Sequence, residues 1–168
     1  MYQIGDQVVY GVHGVCRVAN TQKQLVGKKL VTYLVLEPSG QEGSRYLVPT
    51  SNETVMSKLR PILSPAELEA LLRSSEIRND QWIQEENLRK QTYRELIASG
   101  DCFRLMSMVG MLYRHKAAQS AAGRKLHMCD ENFLRDAERL LITEISAVLE
   151  RTPEDVRQTL RQKLLECA

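Results

Sequence analysis

Trp82 is the only tryptophan of the chain, and cationic side chains follow it at Arg89, Lys90 and Arg94. An aromatic ring ahead of spaced cations suits non-covalent contact with a nucleic acid. The ring can act as an apolar wedge at a base step, and the cations can meet phosphates. The structural alternative is a tryptophan that staples two domains together, since this residue is usually well buried. Charge placement bears on the choice. Residues 89–125 hold eight basic side chains (Arg89, Lys90, Arg94, Arg104, Arg114, Lys116, Arg124 and Lys125) against Glu95 and Asp101, a net of +6. The flanking segments 61–88 and 126–168 carry −4 and −3. A positive block between acidic ones creates a local field that attracts a polyanion, although solvated helix faces carry such charges too.

Covalent and metal chemistry have no comparable constellation. Gly27-Lys28-Lys29 has the look of a phosphate-loop fragment, but Gln22 stands where the first glycine is needed and Lys29 where a hydroxyl would hold magnesium. The triplet reads as a hairpin turn. Glu85 and Glu86 are adjacent, so on a helix they point in different directions and form no paired carboxylate site. His13 lies in a turn-rich stretch. Cys16, Cys102, Cys129 and Cys167 are scattered, and His127 with Cys129 lacks zinc-ligand spacing. We therefore expect no enzyme activity, no metal and no cofactor. The hydrophobic fraction of 43% and charged fraction of 26% are those of a soluble globular protein. There is no signal-peptide pattern and no apolar run near ~18 residues, so a cytoplasmic protein without a membrane partner is expected.

Two kinds of element position these residues. Residues 1–60 show short β-branched and aromatic stretches with Gly or Pro punctuation: Gln7–Val12, Val15–Val26, Leu30–Leu36, Tyr46–Val48 and Val55–Leu59. They predict a small antiparallel barrel or curled sheet. Ser64-Pro65 with Glu67 predicts a capped first helix, and 74–78 a joint. A second helix is expected over Gln81–Ala98, capped by Asn79 or Asp80, which places Trp82 in its first turn. Gly100 ends that helix and Asp101 caps the next. Asp130 is expected to cap a third long helix, and Thr152-Pro153 to open the last. The fold class is thus α+β: a β-domain over 1–62, a helix and joint over 63–78, and a helical bundle over 79–168.

The whole pattern resembles the CarD/CdnL family of bacterial transcription regulators. The opening IGDQVVYGVHGVCRV is similar to the family's N-terminal signature, and YLVLEP followed by Val48-Pro49-Thr50-Ser51-Asn52 matches the strands that come after it. The tryptophan, the Ala98-Ser99-Gly100-Asp101 break, and LYRHK followed by Gly123-Arg124-Lys125-Leu126 match the helical half. The resemblance implies a Tudor-like β-domain, shared with transcription-repair coupling factors, that binds the RNA polymerase β subunit strand to strand. Lys23, Leu25 and Leu47 match its interface positions. It further implies that the helical domain contacts promoter DNA, largely without regard to sequence, at the upstream edge of the transcription bubble. Trp82 would wedge into the minor groove and stabilise the open complex, while Arg89, Lys90, Arg114, Arg124 and Lys125 hold phosphates. Two departures are visible: Gln84-Glu85-Glu86 stand where some relatives carry basic residues, and Leu47 stands where some carry arginine. Nothing requires more than a monomer. The competing expectation is a protein–protein adaptor whose helical half binds another protein and not DNA.

Overall fold

β-Branched and aromatic stretches separated by Gly and Pro build the first half of the chain. In the computed structural model, which describes residues 2–78 and 81–165, the chain divides into two units, one ending at Ile62 and the next starting at Leu63. The first unit contains β1 (Gln7–Tyr10), β2 (Val15–Val26), β3 (Lys29–Pro38), β4 (Tyr46–Pro49) and β5 (Leu59–Pro61). All neighbours are antiparallel, in the order β4-β3-β2-β1-β5. Cys16 and Val18 of β2 and Leu34 and Leu36 of β3 point to one face, with Val8, Val48 and Leu59, and form its core. A register shift between Val18 and Asn20 marks a bulge, and past the Tyr33–Pro49 pair β2 and β3 continue alone as a two-stranded arm. Gly27, with φ of 65°, opens the two-residue turn at its tip, the position at which type II′ hairpins need glycine.

The expected strand over Val55–Leu59 is not formed. Asn52 accepts a hydrogen bond from the Val55 amide and caps a one-turn helix, α1 (Glu53–Met56), so the last strand starts only at Leu59. Local capping outweighs the β propensity of Val55.

The second unit contains α2 (Pro65–Arg73), α3 (Glu86–Ser99), α4 (Cys102–Ala121), α5 (Met128–Leu149) and α6 (Pro153–Leu165). Ser64 and Glu67 form a reciprocal capping box at α2. Gly100, in the left-handed region, ends α3, and Asp101 accepts from the Arg104 amide to start α4. Every residue from Leu105 to Tyr113 is buried, so α4 is enclosed on all sides and forms the axis of the bundle. Leu68 of α2 and Ile77 also lie in this core. Residues 63–78 are therefore built into the helical unit, and Glu144 of α5 accepts a hydrogen bond from the Leu63 amide. Among the described residues, no helix is long and apolar enough to cross a membrane.

Two expected helix starts are corrected. The Asn79 or Asp80 cap lies outside the described residues, and α3 begins at Glu86, leaving Trp82 ahead of the helix. Asp130 does not cap α5. The helix starts three residues earlier with His127 at the N-cap, and Asp130 turns into the interior.

Candidate nucleic-acid interface

Glu85 explains why the segment 81–85 stays out of the helix. Its carboxylate accepts hydrogen bonds from the Asn87 and Leu88 amides, satisfying donors that the first turn leaves free. Negative charge at this end also complements the helix dipole, and Glu86 follows in the first turn. The acidic pair thus caps α3. Trp82 is left in the preceding extended segment, half-buried against the bundle core.

Its indole lies flat on His115 of α4, with ring centroids 3.5 Å apart and planes 5° from parallel. The Arg89 guanidinium sits over the same indole, its Cζ 4.6 Å from the ring centroid. Arg89 is only 4% exposed and Asp130 is fully buried. Each guanidinium nitrogen makes one hydrogen bond: Nε donates to Asp130 Oδ1 at 2.9 Å, Nη2 to Oδ2 at 3.2 Å, and Nη1 to the Ile83 carbonyl at 3.0 Å. Removal from water lowers the His115 pKa below its ordinary value, and the charges of Arg89 and His127 act in the same direction, against Asp130. A neutral imidazole can accept from the Gln119 side-chain amide, 3.2 Å away.

The expected phosphate anchors separate into two groups. Arg89 and Arg114 are turned inward. Arg114 folds back over Gly110 toward Leu164, and its buried Nη1 and Nη2 have no hydrogen-bond partner. A guanidinium in either position is not placed to meet a phosphate, which corrects the expectation for both. Gly110, which has no side chain, leaves the space beside Arg114 Nη1. Lys90, Arg124 and Lys125 remain at the surface. Lys90 pairs with Glu86 one turn back, at 2.9 Å. Arg124 and Lys125 are exposed in the loop between α4 and α5, held by the Arg124 amide to the Gln119 carbonyl at 2.8 Å and by burial of Leu126. They border a depression that Lys116 and Arg135 also line. His127, at the end of the same loop, is the N-cap of α5, whose first turn carries the Asp130 that binds Arg89. The loop, the start of α3 and the support beneath Trp82 therefore share one region of the unit.

His115 and Asp130 were missed as site residues. His115 sits in a basic stretch that reads as a solvated face, and Asp130 is 41 positions from its partner Arg89. No local pattern joins them.

In the β unit, Lys23 and Leu25 lie on the arm, where β2 pairs with β3 but no longer with β1. Leu25, Val26 and Leu30 give the tip an exposed apolar surface. Leu47 is exposed on the edge strand β4. Its register partner is Val35, while Lys23 and Leu25 face Thr32 and Leu30. Alternation along β3 puts Leu47 on the opposite face of the sheet from Lys23 and Leu25. Among the described residues, no group of His, Cys, Asp or Glu side chains could hold a metal ion.

Comparison with known proteins agrees with this architecture. The family model described as CarD-like/TRCF RID domain matches residues 2–61, and the one described as CarD, C-terminal domain matches residues 68–161. A search of curated proteins finds no match.

Proposed function

The chain belongs to the CarD family, whose members are transcription regulators that interact with RNA polymerase, and we propose that it stabilises the promoter open complex. In this reading the arm and edge strand of the β unit dock on the polymerase β subunit. Unpaired backbone groups of β2 and β4 can extend a partner's sheet, and Leu25 and Leu30 supply apolar contact. The helical unit is then held at high local concentration beside promoter DNA. Trp82 wedges into the minor groove at the upstream edge of the bubble, and Lys90, Arg124 and Lys125 supply salt-dependent contacts to phosphates. The wedge fits unstacked DNA better than closed duplex, so it shifts that equilibrium by the difference in binding alone.

The observation that carries this reading is the placement of Trp82. It is half-buried outside any helix, its indole stacked on His115 with the Arg89 guanidinium over the ring, and Asp130, which holds Arg89, lies in the first turn of the helix that follows the exposed Arg124-Lys125 loop. Trp82 packs against the bundle core yet keeps part of its surface in solvent.

The adaptor alternative draws on the ion pairs Lys90–Glu86 and Lys116–Glu131, which reduce the free positive charge of this face. Open-complex lifetime on a weak promoter separates the two. The W82A variant should shorten it while leaving β-subunit pull-down intact. An unchanged lifetime would favour the adaptor.

A further inference from the structure

A buried ion pair is a costly way to hold two helices together, because both charges lose their hydration and an apolar pair of similar volume often serves as well. The Arg89–Asp130 pair joins α3 to α5, with side-chain exposures of 5% and 0%. Bridging the helices needs only the two contacts to Asp130. The guanidinium makes two more, both to the segment ahead of α3. Nη1 donates to the Ile83 carbonyl at 3.0 Å, and Cζ lies over the Trp82 ring, 4.6 Å from its centroid.

We infer that Arg89 is a positioning residue for Trp82: fixed by Asp130, it holds the segment 81–85 against the bundle and keeps the indole on His115. Asp130 sets the orientation of the fork. Arg89 passes that orientation to the backbone at Ile83, next to Trp82, and to the ring itself. The geometry requires arginine. A planar guanidinium can bind a carboxylate with two of its N–H edges while a third reaches a carbonyl and its face lies on a ring. A lysine ammonium can pair with Asp130 but presents no plane to the indole. The indole is thereby ordered before any partner arrives, which lowers the entropy lost on insertion.

This positioning rests on the free protein alone. Its consequence for promoter opening rests on the function proposed above. Trp82 is the only tryptophan, so fluorescence of the full chain reports its surroundings without a label. The R89K variant retains a charge opposite Asp130. Its emission should shift to the red and its acrylamide quenching should rise toward that of a solvated indole, with the far-UV circular dichroism of the helices kept. Should R89K fail to fold, the R89M/D130L variant replaces the pair by apolar side chains of similar volume. It should fold and show the same red shift. Wild-type emission and quenching in a folded R89K or R89M/D130L protein would overturn the inference. A freed indole in R89K together with unchanged open-complex lifetime in W82A would leave the positioning role standing and remove the wedge.

Discussion

In the β unit the candidate contact residues stand in solvent, with Leu25 at 71% exposure and Leu30 at 65%, whereas in the helical unit the cation beside Trp82 is 4% exposed. The arm presents its chemistry through the strand itself: an unpaired backbone edge and side chains that support nothing else. The Trp82 region presents one half-buried ring, and most of its polar groups are spent on holding that ring in place. Substitutions in the arm should therefore change binding and leave folding alone. Substitutions beneath Trp82 should change folding, ring position and function together.

The largest effect is expected from D130A. It leaves the Arg89 guanidinium buried without its counter-charge, which costs about 3–5 kcal/mol. Urea denaturation followed by circular dichroism should show that loss in the helical transition. In the arm, L25D should lower affinity for the polymerase β subunit by about 2 kcal/mol, roughly thirtyfold. The same variant should move the denaturation midpoint by no more than about 0.5 kcal/mol. A comparable loss of stability in L25D would erase the contrast between the two regions. Within the docking surface, L47D should weaken binding less than L25D if the partner meets mainly the arm face, since Leu47 lies on the other face of the sheet.

Smaller effects test the electrostatics. The R124E/K125E variant should flatten the dependence of log affinity on log salt for polymerase-bound promoter by about two units, one per lost phosphate contact. An unchanged salt slope would take DNA contact away from this loop. The smallest effect concerns His115. Its folded pKa lies below the unfolded value of about 6.5 because burial disfavours the imidazolium. The associated stability is therefore complete above that value and is lost as pH falls through the folded pKa. Acidification below about pH 6.5 should therefore lower the urea midpoint of the helical unit in the wild type, and lower it less in H115Q.

What could be read from the sequence follows from the range over which each signal acts. Ser64 with Glu67, and Gly100 with Asp101, fix helix ends through residues within four positions of each other, and the structure has those ends where expected. The β-branched and aromatic content of Val15–Val26 and Leu30–Leu36, bounded by Gly and Pro, likewise marks the two long strands. Glu85 escaped notice because glutamate is not among the favoured caps, so α3 was expected to start earlier and to include Trp82. Asp130 has the type and place of an N-cap, yet its role is set by Arg89, far away in the chain. Charge placement, the helical period and the family resemblance together make Arg89 and Arg114 surface cations. Their burial depends on packing around α4, which involves α3, α5 and α6 together. Nucleic-acid contact could be suspected from composition, but which cations are free to make it required the fold.

The most direct test of the central claim places a fluorescent adenine analogue at the upstream edge of the bubble and follows its unstacking with polymerase and either wild-type protein or W82A. The wild type should raise the amplitude and lifetime of the unstacked signal. W82A, bound to polymerase to the same extent, should leave both at the level of polymerase alone. Equal signals from the two proteins would contradict the assignment of Trp82 as the wedge.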